Sequence, residues 1–79
     1  MDSFKIRLES TEDASDFNKM VMHYECDVDF KVGHFQVDAK SLLGIIDLGI
    51  GKDAIVTLIS DDKAVTEKFA NDIKRWRND

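Results

Sequence analysis

The spacing of apolar side chains switches repeatedly between two and about 3.6 along these 79 residues, and that switching most constrains the fold. Phe4, Ile6 and Leu8 alternate with Lys5 and Arg7, as in a strand with one wet face. Ser10 or Thr11 then caps a helix whose first turn carries Glu12 and Asp13. Ala14, Phe17, Val21 and Tyr24, with Met20 beside them, recur at helical spacing over about three turns. Cys26, Val28, Phe30 and Val32 alternate with Asp27, Asp29 and Lys31, predicting a second strand. Gly33-His34 makes a tight turn into a third strand that starts with Phe35 and Val37. Ser41 is the expected N-cap of a short helix over 42–48, with Gly49 as its stop. Gly51-Lys52-Asp53 turns the chain into 54–59, Ala-Ile-Val-Thr-Leu-Ile, a β-branched apolar run that reads as a central strand. Ser60-Asp61-Asp62 caps a last helix with the stripe Val65, Phe69, Ile73 and Trp76. The order β-α-β-β-α-β-α predicts an α+β fold, a four-stranded antiparallel sheet with its helices on one face. One domain over residues 1–79 is expected.

A chain of this size buries only about 60% of its unfolded surface, so its core must be compact. A hydrophobic share of 43% is enough for such a core. Sixteen acidic residues against eleven basic leave a net charge of −5, a poor surface for a nucleic acid, where affinity comes from cations on phosphates. The one basic cluster, Lys74-Arg75-Arg77, reads as the complement of a helix dipole. Cys26 is the only cysteine, so no intrachain disulfide forms, in keeping with a reducing compartment. Residues 1–3 lack the basic start of a secretory leader, and no run approaches the ~20 apolar residues that span a bilayer. A cytoplasmic protein is expected.

The helix over 42–48, Leu-Leu-Gly-Ile-Ile-Asp-Leu, is apolar nearly all round. A helix lying on a sheet buries about half its circumference. Ile45 and Leu48 suit the core, which leaves Leu42, Leu43 and Ile46 as an outward stripe of the kind that contacts partners. A homodimer or the first helix covering that stripe is the alternative.

With the element order, the stretch Lys40-Ser41-Leu42-Leu43-Gly44 followed by Leu48-Gly49 resembles HPr, the histidine phosphocarrier family of the bacterial sugar phosphotransferase system. The similarity runs from Tyr24 to about Ile59 and is looser beyond. It implies two sites. One is a histidine opening the first helix within Gly-Leu-His-x-Arg-Pro, which passes a phosphoryl group from enzyme I to sugar permeases. The other is a serine opening the second helix, phosphorylated in many members by HPr kinase, whose product acts with a transcriptional regulator. The resemblance also implies that the second helix docks these proteins.

Against that pattern, residues 8–17 hold no His, Arg or Pro and are about three residues shorter. Glu12, Asp13 and Asp16 stand there instead, satisfying the helix dipole themselves and repelling a phosphoryl group. A phosphohistidine needs an imidazole nucleophile and positive potential around it. His23 falls near the end of the first helix and His34 in a turn. His23-x-x-Cys26 offers two metal ligands and no second pair, so neither a metal nor another cofactor is expected. Ser10, Thr11 and Ser15 have no base partner. Ser41 stands where the family's regulatory serine stands, beside Lys40. The expectation is a regulatory or adaptor protein that is not an enzyme. It docks phosphotransferase-system proteins, HPr kinase or a transcriptional regulator through Lys40, Leu42, Leu43 and Ile46, with Ser41 as the phosphorylated residue. Two readings stay open beside it: a phosphocarrier using His23 or His34, and a structural or dimerising module.

Overall fold

A computed structural model describes residues 2–79. The elements are β1 (Asp2–Arg7), α1 (Thr11–Val21), β2 (Val28–Val32), β3 (Phe35–Asp38), α2 (Leu42–Gly49), β4 (Asp53–Leu58) and α3 (Lys63–Asp72), followed by a 3-10 turn, Lys74–Trp76. The strands form one antiparallel sheet in the order β1-β4-β2-β3. The run over 54–59 therefore does supply a central strand, between the N-terminal strand and the hairpin.

Strand alternation sorts the two faces of this sheet. Phe4, Val56, Phe30 and Val37 are register partners across all four strands and lie on the helix side. The next row, Lys5, Ile55, Lys31 and Gln36, lies on the open side. Ile6, Val28, Phe30, Ala54, Val56 and Leu58 are buried under the helices with Phe17, Ile45 and Phe69. Phe17 sits at the centre, 6.1 Å from Phe30 and edge-on to Trp76 at 5.6 Å. The predicted stripe of the last helix is present, with Phe69, Ile73 and Trp76 buried. It is not one helix: α3 ends at Asp72, and the 3-10 turn carries Trp76 into the core.

Local chemistry explains the element ends. Ser10, Ser41 and Asp62 each accept a backbone N–H two or three residues on, which satisfies donors that the first helical turn leaves free. Gly33 has φ +59°, and no other residue type of this chain adopts a positive φ among those described. A glycine first in a two-residue turn with a negative φ after it is the hairpin turn that matches strand twist.

Tyr24 joins α1 to α3. Its ring packs edge-on to Phe69 at 5.2 Å, and its hydroxyl donates to Asp72 Oδ2 at 2.5 Å. Lys68 Nζ lies 3.2 Å from the same oxygen and 4.7 Å over the Tyr24 ring. Burial first, then the hydrogen bond to Asp72 and its charge, push the phenol well above its ordinary 10.0. A phenol that ionises later in the folded state stabilises the fold below its unfolded value, and that stabilisation is lost as pH rises past about 10. The thermal midpoint of the wild type should therefore fall more steeply above about pH 10 than that of Tyr24→Phe, which has no phenol to ionise. Parallel pH profiles in a melting series would contradict this.

Candidate functional site

Two helix openings are the places where a phosphoryl group could be held, and they differ in what occupies them. At the start of α1 the Ser10 hydroxyl accepts from Asp13 N at 3.1 Å, and the Asp13 carboxylate accepts from Glu9 N at 3.1 Å. The pairing resembles a capping box, except that the N3 aspartate reaches back to the residue before the cap. Arg75 Nη2 approaches Asp13 Oδ1 at 4.0 Å and Asp16 Oδ2 at 3.7 Å, its guanidinium lying 4.7 Å over the Trp76 ring. At this end the Ser10 hydroxyl takes the Asp13 N–H, the Asp13 carboxylate takes the Glu9 N–H, and Arg75 lies beside Asp13 and Asp16. The reading of Lys74-Arg75-Arg77 as a dipole complement is corrected here: α3 has ended before these residues, and Arg75 answers α1 while Arg77 pairs with Asp79.

Neither histidine reaches this end. His23 follows α1 and is exposed, about 18 Å along the helix axis from its start. His34 is exposed in the β2–β3 turn. No group of three or more His, Cys, Asp or Glu side chains suited to a metal ion occurs among the described residues.

The start of α2 is open. Ser41 is exposed, with an extended backbone, and its Oγ accepts from Gly44 N at 3.3 Å. The loop before it is tied down on three sides. Ala39 N donates to Val28 O at 2.8 Å, Asn18 Nδ2 donates to Ala39 O at 3.2 Å, and Asp38 accepts from Lys40 N at 2.9 Å. Lys40 Nζ does not reach toward Ser41: it donates to the Tyr24 carbonyl at 2.7 Å, closing the end of α1. That contact spans 16 residues and had no local signal in the sequence.

The α2 side chains divide three ways. Ile45 is buried. Leu42, Ile46 and Leu48 are half-buried against the core cluster, so Leu48 is less enclosed than its spacing suggests. Leu43 is 75% exposed, the most open large apolar side chain described. Gly49, expected as the stop, is the last residue of the helix and is buried. The positive φ falls at Gly51, +74°.

Residues 11–75 match the family described as the PTS HPr component phosphorylation site. Among solved structures the chain is similar to the crystal structure of HPr-C-His from Thermoanaerobacter tengcongensis, with a TM-score of 0.73 and 21% identity. That match covers 92% of this chain and 90% of the other, and at such identity it speaks for the fold. A comparison with curated proteins finds no match. No helix among the described residues is long and apolar enough to cross a membrane.

Proposed function

Because the chain belongs to the HPr family of phosphotransferase-system components, we propose that it serves as a regulatory or adaptor member of that family. It docks protein partners through α2 and is switched by phosphorylation of Ser41. The observation that supports this is the contrast between the two helix starts. Ser41 is an exposed cap beside Leu42, Leu43 and Ile46, whereas the opening of α1 is filled by Asp13 and its partners. Partners of the expected kind are phosphotransferase-system proteins, HPr kinase or a transcriptional regulator, met in the cytoplasm.

In the phosphorylation step Ser41 Oγ attacks the γ-phosphorus of ATP. An Oγ–P bond forms, the bond to the β,γ-bridging oxygen breaks, ADP leaves, and the hydroxyl proton passes to a base of the kinase. The product places about two negative charges at a helix start whose dipole and free N–H groups favour them. Asp38 nearby is already turned onto Lys40 N, which lowers its competition for those groups. The phosphate therefore changes the charge of the docking face without breaking α2. Lys40 Nζ has two further protons to offer beyond the one on Tyr24 O, enough to meet a phosphate after a rotamer change.

Incubation with an HPr kinase and ATP should add one phosphate by intact mass, and none to Ser41→Ala. An unmodified wild type would sink the Ser41 switch and leave docking to be tested by itself. For docking, Leu43→Asp should lose about tenfold or more in capture of the partner, as expected for a truncated central contact. Enzyme I with phosphoenolpyruvate should leave no acid-labile phosphate on this chain. A labelled wild type that becomes unlabelled in His23→Gln or His34→Gln would replace this reading with the carrier one.

A further inference from the structure

The two edges of the sheet are treated differently. The outer edge of β1 is covered at Lys5 and Ile6 by the chain's own end: Asn78 N donates to Lys5 O at 3.0 Å, and Ile6 bridges to Arg77. Asn78 Nδ2 is also held by Asp53, and Arg77 covers the Phe4 ring at 5.3 Å. Among the described residues, no strand lies beside the outer edge of β3. Of the devices that usually protect such an edge it has a short strand and Asp38, but Phe35-Gln36-Val37-Asp38 contains no Lys, no Pro and no bulge. The two most exposed large apolar side chains described, Phe35 at 70% and Leu43 at 75%, border this edge. A Cβ on Gly44 would stand 3.3 Å from Val37 Cβ, so Gly44 faces the sheet. With Ile45 one 100° step toward the core, Leu43 lies one step the other way, over the free edge.

We propose that the β3 edge, with Phe35 and Leu43, pairs antiparallel with the same edge of a second copy of this chain. Self-pairing is favoured because one register satisfies backbone, side chains and helices together. In a hairpin closed by two residues, Phe35 and Val37 turn their backbone groups to β2, and Gln36 turns its N–H and C=O outward. A dyad at Gln36 makes Gln36 its own hydrogen-bonded partner. Phe35 then stands opposite Val37 of the other copy, both on the helix side, and beneath that copy's Leu43. His34, a donor in either protonation state, stands opposite the Asp38 carboxylate. α2 packs on β3 and on β2, more on β3, which is the edge strand. Strands about 4.8 Å apart would bring the two α2 helices onto neighbouring sides of the dyad. Growth stops at two copies because the dyad uses both β3 edges and each β1 edge is interrupted at Lys5 and Ile6 by its own chain end. Two charges oppose the pairing: Asp47, on the same side of α2 as Leu43, and the net −5 of each copy. Salt screens both, so association strengthens as salt is raised.

This pairing goes beyond α2 docking and does not depend on it. Sedimentation equilibrium up to about 1 mM protein should show a monomer–dimer equilibrium that tightens between about 0.05 and 0.5 M salt. Gln36→Pro removes the outward N–H, which β2 does not use, and Phe35→Lys places a charge on the edge. Each should weaken dimerisation about tenfold or more, whereas Ile46→Glu should leave it within about twofold. The Gln36 amide should gain protection from hydrogen exchange as concentration rises, a readout independent of any variant. A monomer under every condition would overturn the pairing. So would a dimer that resists Gln36→Pro and Phe35→Lys but dissociates in Ile46→Glu, because the α2 surface would then be the interface.

Discussion

Phe17→Ala should lower stability by about 3–5 kcal/mol, the largest loss expected from a single side chain of this protein. Phe17 is fully buried and is the one ring that touches both the sheet, through Phe30, and the C-terminal turn, through Trp76. The walls of the cavity left behind are a strand residue held in register by two neighbours and a 3-10 turn pinned by the β1 edge, so they relax little. Domains of this size fold with about 5–15 kcal/mol in total and small ones sit near the lower end, so the variant is left marginal. The midpoint of thermal unfolding should fall by about 15–30 °C. Denaturant unfolding followed by the single tryptophan, Trp76, measures it directly. A loss below about 1.5 kcal/mol would mean that the surrounding side chains close over the site.

The parts of this fold that were legible beforehand are those whose causes are local. Period-two alternation placed β1 and β2, the Gly33-His34 turn with Phe35 and Val37 placed β3, a β-branched apolar run placed β4, and the caps Ser10, Ser41 and Asp62 act on N–H groups within three residues. Ends were less legible where a distant partner decides them. β2 begins at Val28 and not at Cys26, since its register partners on β4 end at Leu58 opposite Val28. α3 stops at Asp72, whose carboxylate is engaged by Tyr24, just beyond the end of α1 and 48 residues away. The role of Arg75 was invisible for the same reason: its partners, Asp13 and Asp16, lie about sixty positions earlier.

The candidate site shows the same division. Ser41 as a cap and the excess of apolar side chains on α2 follow from residues 41–48 alone. The order of exposure does not. Leu42, Leu43 and Ile46 looked equivalent by composition, yet Leu43 is open while the other two are half-buried. The reason is that α2 lies at the sheet's free edge, with α1 on its inner side and nothing beyond it. Lys40, adjacent to Ser41 in the chain, donates to the carbonyl of Tyr24 just beyond α1.

Gly49→Val should cost about 3 kcal/mol, although valine is the better helix former. An ideal Cβ at this position would lie 2.5 Å from Phe30 Cε1 and 2.7 Å from Cζ, with Val32 Cγ2 at 3.3 Å. The Phe30 ring is fully buried and packed at a tilt against Phe17, so it has little room to swing. Glycine here sets how closely the end of α2 approaches β2, and through the helix axis it sets the height of Ser41 and Leu42 above the sheet. Gly51→Ala is the informative contrast. Its site is open, with nothing within 4 Å, and the φ of +74° costs only about 1 kcal/mol. A double-mutant cycle separates crowding from propensity: Phe30→Leu costs stability alone but should recover about 1 kcal/mol or more when combined with Gly49→Val. Strict additivity in that cycle would show that the Phe30 ring is not what excludes a side chain at position 49.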